Sequence, residues 1–317
     1  MKKVLVTGGA GFIGSNLIAS LLDRNYQVVC LDNLSTGSKK NIEEFIGDKN
    51  FEFVEGDILD YQLLLKLSKD AFAVSHQAAL GSVPRSIQDP ITSNRVNIEG
   101  TLNVFKACVD NQVKRVVYAA SSSTYGDLEG LPKKEERIGK PLSPYAVTKF
   151  VNELYADVFH RVYGLNTIGL RYFNVFGPKQ NPDGPYAAVI PLFINAILSK
   201  KSPVINGDGS HSRDFTFVEN AVQANIKSLE ASMVNYNTVY NIAFGQKTTL
   251  NDLVSYINTI EGTKIEPLLV DEREGDIKHS LADISKAIKN LNYNPLYSIE
   301  EGLKLTIDWY KNNSKII

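Results

Sequence analysis

The sequence predicts an α/β protein whose larger part is a doubly wound parallel sheet and whose carboxyl-terminal part is a smaller α/β lobe. Three observations lead to this fold class. Short apolar runs rich in β-branched residues alternate with helical patterns through the first half of the chain. A glycine-rich turn joins the first apolar run to the first helical pattern, and the alternation stops after Gly177.

Each predicted element follows from its residue pattern. Six short apolar runs bounded by polar or turn-forming residues are predicted to be strands. They are Lys3–Val6, Gln27–Leu31, Phe51–Val54, Ala71–Val74, Arg115–Tyr118 and Thr167–Leu170. Segments between the strands repeat apolar residues at helical spacing. These predicted helices are Phe12–Asp23, Tyr61–Ser68, Asn94–Asp110 and Tyr145–Tyr163.

A domain boundary is predicted at Gly177, because three prolines between 178 and 185 replace the regular alternation. Residues 1–177 are expected to form a Rossmann-type nucleotide-binding domain, and residues 178–317 mainly a substrate-binding lobe. Segments near 214–245, namely Asp214–Val222 and the strand-like Thr238–Ala243, are expected to rejoin the first sheet. The predicted division is therefore interleaved.

The composition excludes several classes of protein. The 317 residues, 43% hydrophobic and 22% charged, are enough for one large core or for two domains that share a cleft. A formal net charge of -1 gives no general attraction to nucleic acid or to an anionic membrane. No run of about twenty apolar residues occurs, so a cytoplasmic location is expected. Cys30 and Cys108 are expected to be buried free thiols, and no metal is predicted.

The glycines at 8, 9, 11 and 14 predict a dinucleotide site at the first strand-to-helix turn. Glycine lets the main chain approach a pyrophosphate, whose charge then lies against the amino terminus of the helix. Asp32 follows the second strand, about twenty residues further on, where a carboxylate accepts hydrogen bonds from the adenosine ribose. Because a carboxylate there repels a 2′-phosphate, NAD is predicted rather than NADP.

Other residues at the carboxyl ends of the strands are predicted to line the same site. Asp57 has a helix N-cap as its alternative role, and His76 is interpreted as structural. The predicted cofactor-binding residues are Gly8, Gly11, Phe12, Ile13, Gly14, Asp32, Asn33, Ser35, Thr36, Gly37, Asp57, Ile58, Gln77, Ala78, Ala79, Asn97, Ala119, Tyr145, Lys149 and Tyr172.

Tyr145 and Lys149 are the candidate catalytic pair. Residues four apart project from one face of a helix. A fixed positive charge lowers the pKa of a nearby phenol, which allows a tyrosine to act as a base. The same spacing also occurs on ordinary amphipathic helices, where tyrosine packs and lysine extends to solvent. The run Ser121-Ser-Ser-Thr, which ends the fifth strand, adds hydroxyls at the same sheet edge.

The glycine turn, the acidic end of strand two, the serine-rich end of strand five and Tyr145-x-x-x-Lys149 together resemble the extended short-chain dehydrogenase/reductases over the whole chain. Leu170-Arg-Tyr-Phe-Asn-Val-Phe-Gly177 resembles the nucleotide-sugar epimerases. His76-Gln-Ala-Ala-Leu-Gly-Ser-Val-Pro-Arg-Ser86 and Tyr186-Ala-Ala-Val-Ile-Pro191 resemble the UDP-N-acetylglucosamine 4-epimerases. The resemblance implies reversible C4 epimerisation between UDP-GlcNAc and UDP-GalNAc through a 4-keto intermediate, with tightly bound NAD as hydride carrier.

The resemblance also implies roles for the catalytic residues. Tyr145 would remove the proton of the sugar 4-hydroxyl, and Lys149 would hold the nicotinamide ribose and, with the charge of NAD, lower the pKa of Tyr145. Ser121 would be the catalytic hydroxyl, with Ser122 as the alternative because the serine run leaves the register ambiguous by one. The 4,6-dehydratases carry Asp-Glu after that hydroxyl, whereas this chain has Ser122-Ser123.

A UDP-sugar site is implied mainly in the second lobe. Arg213 and Arg273 match positions that hold the pyrophosphate and the uridine ribose, and Asn174 matches one on the phosphate side. Ser280 stands where the galactose-type enzymes keep a tyrosine, and the small serine side chain leaves room for a 2-acetamido group. The predicted substrate-binding residues are Gly81, Ser82, Arg85, Ser121, Ser122, Tyr145, Asn174, Ala188, Val189, Asn206, Arg213, Arg273, Asp276 and Ser280.

Two other functions stay open at this point. A UDP-glucose/UDP-galactose 4-epimerase or a UDP-hexuronic acid 4-epimerase would use the same residues on another sugar. A non-catalytic NAD-binding regulator is the more distant alternative, although such proteins usually lack the tyrosine or the lysine. By the same resemblance, a homodimer is expected through the helices at 94–110 and 145–163.

Overall fold

The computed structural model describes residues 1–182, 188–272 and 278–313. Its strands are β1 (Lys3–Thr7), β2 (Gln27–Asp32), β3 (Phe51–Glu55), β4 (Ala73–His76), β5 (Val116–Ser121), β6 (Thr167–Tyr172), β7 (Val175–Phe176), β8 (Val204–Asn206), β9 (Ser212–Arg213), β10 (Thr216–Phe217), β11 (Thr238–Ile242), β12 (Thr248–Thr249) and β13 (Leu268–Val270).

The helices are α1 (Phe12–Asp23), α2 (Tyr61–Ser68), α3 (Val83–Gln88), α4 (Pro90–Asn94), α5 (Gly100–Asp110), α6 (Pro144–Tyr163), α7 (Val189–Leu198), α8 (Val218–Glu230), α9 (Leu250–Glu261), α10 (Ser285–Leu291) and α11 (Ile299–Asn313). A π-helical segment, Arg95–Glu99, joins α4 to α5. Within the described ranges, no helix combines the length and the apolarity needed to cross a membrane.

The large sheet has the strand order β11-β6-β5-β4-β1-β2-β3, and all of its neighbouring strands are parallel. The direction of strand addition reverses between β1 and β4. In open sheets of this kind, the crevice at such a reversal is where ligands bind, outside the carboxyl ends of the strands. The predicted doubly wound fold is confirmed, and it places Gly8 after β1 next to Gln77 after β4.

Helices cover both faces of the sheet because every second side chain of a strand points the same way. In β1, Val4 and Val6 pack in the core on the side of α1 and α8. Leu5, between them, packs on the side of α2 and α5. All three side chains are almost fully buried, as expected for a strand covered on both faces. Cys30 and Cys108 are buried free thiols, as predicted.

Several predicted bounds need correction. The helices α1 and α2 have the predicted limits, but β4 begins two residues later than predicted and ends at His76. The strands β5 and β6 continue to Ser121 and Tyr172, because their main chains remain paired past the last β-branched residue. The helix predicted to begin at Asn94 begins at Pro90, since Asp89 caps it by accepting a hydrogen bond from Thr92 N.

The two segments expected to rejoin the sheet behave differently. Thr238–Ile242 pairs with β6 and forms one edge of the large sheet. In the other segment, Thr216–Phe217 pairs with Val175–Phe176 in a separate small sheet, and the chain then enters α8, which packs beside α1. The predicted division into two domains stays a prediction.

Candidate active site

A cavity of about 520 Å³ lies at the carboxyl ends of the strands where the strand order reverses. The structure brings most of the predicted site residues into its wall. From the predicted cofactor set these are Gly8, Gly11, Phe12, Ile13, Gly14, Asp32, Asn33, Ser35, Thr36, Asp57, Ile58, Gln77, Ala78, Ala79, Ala119, Tyr145, Lys149 and Tyr172. From the predicted substrate set they also include Gly81, Ser82, Ser121, Ser122 and Asn174.

Two glycines of the turn approach neighbouring main-chain atoms too closely to carry a side chain. Gly8 has φ +70°, and a Cβ there would lie 2.5 Å from Ala78 N. A Cβ on Gly14 would lie 2.2 Å from Gly8 O. The N-cap of α1 is Gly11, which has no side chain to satisfy the first N–H groups of the helix. The turn therefore offers main-chain donors and the positive end of a helix dipole to a phosphate, as NAD requires.

Asp32 is held in place by the turn that it faces. Its Oδ2 accepts a hydrogen bond from Ala10 N at 3.0 Å, and its Oδ1 accepts one from Leu34 N at 2.8 Å. Burial raises the pKa of this carboxyl, and the main-chain N–H groups oppose the rise. A buried carboxylate at the end of β2 fits the ribose hydroxyls of NAD.

Asp57 ties together two loops on the same side of the cavity. It accepts a hydrogen bond from Asn33 Nδ2 at 2.8 Å and one from Leu59 N at 2.9 Å. The N-cap of α2 is Asp60, whose carboxylate accepts from Leu63 N. The alternative role of Asp57 as a helix N-cap is therefore not realised.

Burial raises the pKa of the Tyr145 phenol, and interaction with the Ser121 side chain opposes this rise. The Ser121 Oγ also lies 2.9 Å from Ser123 Oγ and accepts from Ser123 N at 3.1 Å. Ser122 lines the cavity at the start of a short 3₁₀ turn. This geometry favours Ser121 over Ser122 as the hydroxyl that works with Tyr145.

Lys149 is buried, and its Nζ donates to Ala119 O at 2.8 Å. The Nζ lies 5.9 Å from the centre of the Tyr145 ring. Burial lowers the pKa of this ammonium to about 8. The expected lowering of the Tyr145 pKa is not found in the chain by itself, because burial of the phenol outweighs the opposing effect of Ser121 and the ammonium is directed at a carbonyl.

His76 is structural, as interpreted from the sequence. Its Nδ1 lies 2.7 Å from Thr7 Oγ1, and its Nε2 lies 3.0 Å from Thr101 Oγ1. Burial, with a contribution from the Lys149 charge, lowers the pKa of the imidazole to about 3, so the ring is neutral near pH 7. In the part of the chain that the structure describes, no group of three or more His, Cys, Asp or Glu could hold a metal ion.

Tyr172 is a cavity residue whose hydroxyl is already engaged. It donates to Gln77 Oε1 at 3.1 Å and accepts from Asn225 Nδ2 at 2.7 Å. Gln77 Nε2 in turn donates to Ser75 Oγ at 3.0 Å. Tyr172 and Gln77 therefore form a fixed wall between β4 and β6.

Some predicted residues lie away from the cavity wall. Asn97 is buried behind it, where its side chain accepts from Leu80 N at 2.8 Å and donates to Leu80 O and Thr148 Oγ1. Its amide therefore supports the wall from behind instead of facing a ligand. The others are Gly37, Arg85, Ala188, Val189, Asn206, Arg213 and Ser280. Arg273 and Asp276 lie outside the described residues.

The part of the chain that follows Gly177 brings two of these residues together. Arg213 Nη1 donates to Lys278 O at 3.2 Å, and Ser280 N donates to Ser212 O at 3.0 Å. Asp214 anchors this region, because its buried carboxylate accepts from the main-chain N–H groups of Phe244, Gly245 and Ala282. Burial raises the pKa of Asp214 to about 6. Asn206, at the end of β8, and Val189, at the start of α7, lie on other elements.

Several residues of the wall were not predicted. They are Leu31, Gly56, Leu80, Val96, Ala120, Val175 and Gln180. Gly56, between β3 and Asp57, could have been found from its position at a strand end. Gln180 carries no comparable signal, since it reaches the wall only through the folding of the loop that follows β7.

The chain matches the model of the NAD dependent epimerase/dehydratase family over residues 4–243. A UDP-glucose 4-epimerase of Mycolicibacterium smegmatis is 34% identical over 315 residues, which cover 99% of this chain and 100% of that protein. The solved structure of a UDP-N-acetylglucosamine 4-epimerase from Methanobrevibacter ruminantium, in complex with UDP-N-acetylmuramic acid, is 44% identical with a TM-score of 0.94 and 98% of each chain covered. The solved structure of a UDP-glucuronic acid 4-epimerase from Bacillus cereus, in complex with UDP-glucuronic acid and NAD, is 33% identical to this chain. Its TM-score is 0.91, and the match covers 98% of this chain and 99% of that one.

These matches extend over the glycine turn, Ser121, Tyr145 and Lys149. They confirm the predicted resemblance, the dependence on NAD and the enzyme class, which is an epimerase and hence an isomerase. The chain belongs to the NAD-dependent epimerase/dehydratase family.

Proposed function

We propose that this epimerase reversibly inverts C4 of a UDP-N-acetylhexosamine, converting UDP-GlcNAc to UDP-GalNAc through a 4-keto intermediate. The observation that carries the proposal is that Tyr145, Ser121 and Lys149 line one cavity whose glycine turn and Asp32 fit NAD. The Tyr145 and Ser121 side chains suit proton transfer at a sugar hydroxyl. No carboxylate stands at positions 122 and 123, so elimination of water has no acid or base there.

Tyr145 would remove the proton of the 4-hydroxyl while the hydrogen on C4 leaves as hydride. Ser121 would hold the 4-oxygen and the phenol together, and Lys149 would hold the ribose beside the nicotinamide. Bound NAD would supply the acceptor for the hydride, the donor for its return, and the positive charge that lowers the pKa of Tyr145. After the ketone turns over, Tyr145 returns the proton, and the opposite configuration at C4 results.

The preference for an N-acetylated sugar rests on small side chains in the second lobe. The main-chain N–H of Ser280 donates to the carbonyl of Ser212, which precedes Arg213, the residue proposed to hold the pyrophosphate. The neighbour from Methanobrevibacter ruminantium, a UDP-N-acetylglucosamine 4-epimerase, supports this choice. The relatives that act on UDP-glucose or UDP-glucuronic acid make those sugars the second candidates. The roles of Arg273 and Asp276 and the cytoplasmic location stay predictions.

Proton NMR of the purified, NAD-loaded protein mixed with UDP-GlcNAc tests the proposal directly. We expect the anomeric signals of UDP-GalNAc to appear until equilibrium is reached. UDP-glucose and UDP-glucuronic acid are run in parallel. A higher kcat/KM for either of these sugars would overturn the proposed preference, and no conversion of any of the three would overturn the proposed reaction.

Ser280→Tyr is expected to lower kcat/KM for UDP-GlcNAc by about tenfold or more, because a phenol fills the space assigned to the acetamido group. The value for UDP-glucose should change by less than about threefold, since that sugar has no group there. Ser280→Ala is the matched control and should leave both values near wild type. An equal loss for both sugars in Ser280→Tyr would contradict the assignment.

We further propose that the enzyme is a homodimer with α6 at its interface. Leu154 and Val162 are 52% and 63% exposed and lie on one stripe of α6. Ile91, which is 80% exposed, lies on α4, the helix that packs against α6. A second copy of the chain would cover these apolar side chains and bury them from water.

Leu154→Glu is expected to raise the dissociation constant of the dimer by at least about tenfold, because it places a charge in an apolar interface. Sedimentation velocity over a range of concentrations measures this. Leu268→Glu is the control, since Leu268 is 55% exposed but lies on β13 in the other lobe. A monomeric wild type, or equal dissociation in both variants, would contradict the proposed interface.

A further inference from the structure

Ser86 is a fully buried residue on α3 that lies outside the cavity. Its hydroxyl donates to Val83 O at 2.7 Å. The same hydroxyl accepts a hydrogen bond from the main-chain N–H of Tyr145 at 3.0 Å. The second bond connects α3 directly to the residue proposed as the catalytic base.

The Tyr145 N–H requires an acceptor from outside its own helix. The first N–H groups of an α-helix have no partner within the helix. At the start of α6, Pro144 has no N–H, and Ser143 accepts from Ala146 N through its side chain and from Val147 N through its carbonyl. Tyr145 is thus the residue of this turn whose N–H is not served by the N-cap, and Ser86 satisfies it.

The helix that carries Ser86 begins at a strained turn in the cavity wall. Ser82 lines the cavity and has φ +104°, a region that non-glycine residues rarely adopt. Its Oγ accepts from Arg85 N at 3.3 Å, and its carbonyl accepts from Ser86 N at 3.2 Å. A continuous path of bonds therefore runs from the wall at Ser82 through Ser86 to the main chain of Tyr145.

We propose that Ser86 is a positioning residue for Tyr145. Its hydroxyl fixes the main chain at the start of α6 so that the phenol meets Ser121, and it connects that position to the wall at Ser82. The kinetic part of this inference rests on the proposed function, whereas the structural part, the protection of the Tyr145 amide, does not.

Ser86→Ala leaves the Tyr145 N–H without its acceptor. We expect kcat to fall by about tenfold, the effect of one lost hydrogen bond on the alignment of the base. KM should stay within about twofold, because Ser86 itself does not line the cavity and its hydroxyl bonds to main-chain atoms of Val83 and Tyr145. Ser86→Thr keeps a hydroxyl and is expected to keep kcat within about threefold of wild type.

Ser93→Ala is the matched control. Ser93 lies on α4 and is 1% exposed, and its Oγ has no hydrogen-bond partner among the described residues. This variant should keep the kcat of wild type, although it removes the same atom from an equally buried place.

Hydrogen–deuterium exchange of the NAD-loaded protein, read by mass spectrometry on peptides that span residues 143–150, tests the contact without substrate. Exchange should be faster in Ser86→Ala than in wild type and Ser93→Ala. Unchanged exchange in Ser86→Ala would overturn the inference, and so would an equal fall in kcat in Ser86→Ala and Ser93→Ala. A wild type that converts no UDP-sugar would count against the proposed function, and the exchange measurement would still decide the role of Ser86.

Discussion

Tyr145→Phe is expected to lower kcat by a factor of about 10²–10⁴, the usual contribution of a positioned acid or base. The substitution removes the phenol oxygen that interacts with Ser121 and leaves the ring in place. KM should change little, since the phenol would act mainly while the proton moves. Epimerisation rates followed by NMR give kcat and KM, and the bound NAD is measured in the same preparation.

Tyr155→Phe is the control for this prediction, because it makes the same change on the same helix. The Tyr155 ring packs edge-on against Phe159 with the ring centres 6.4 Å apart, and phenylalanine keeps that contact. We expect kcat within about threefold of wild type for this control. A Tyr145→Phe protein with near-normal kcat would show that another group acts as the base.

Gly14→Ala is expected to abolish tight binding of NAD and to lower the melting temperature by several degrees. The added Cβ would lie 2.2 Å from Gly8 O and 2.7 Å from Gly9 Cα, so main-chain atoms of the turn must move. Forcing atoms into a close-packed place costs about 1–3 kcal/mol or more, and the displaced turn would no longer fit a pyrophosphate. The NAD released on denaturation, measured by ultraviolet absorbance, checks the prediction together with a thermal melt.

Gly11→Ala provides a graded comparison within the same turn. There the nearest atom to the added Cβ is Gly8 O at 3.1 Å, a contact that a small shift relieves. We therefore expect a smaller loss of NAD and a smaller fall in melting temperature than for Gly14→Ala. Equal effects of the two substitutions, or full NAD content in Gly14→Ala, would contradict the role assigned to the close approach of Gly14 and Gly8.

Much of the fold follows from patterns that are local in the chain. The limits of α1 and α2 are those predicted, because both helices have a regular apolar spacing and clear flanking residues. The helix at 90–110 is less regular, since it includes a π-helical segment that no apolar spacing indicates. The returning strand Thr238–Ile242 could be predicted as a strand, but its partner β6 is set by contacts far apart in the sequence.

The part of the chain that follows Gly177 was harder to derive from the sequence. Arg213 and Ser280 are 67 positions apart in the sequence and lie near each other only because the short segments around Ser212 and His279 pair. Asp214, which holds this region through three main-chain N–H groups, has no motif that distinguishes it from an exposed aspartate. Its role depends on burial, which is a property of the folded chain.

By itself, the sequence determined the doubly wound sheet, the glycine turn with Asp32, and the spacing of Tyr145 and Lys149, because each depends on periodicity or on residues close together in the chain. The tertiary structure brought Ser121, Tyr145 and Lys149 together in the wall of one cavity. It also placed Asn97 and Ser86 behind the cavity wall as supports, and it set the direction of the Tyr145 pKa. These features depend on burial and on contacts between distant segments, which only the folded chain creates.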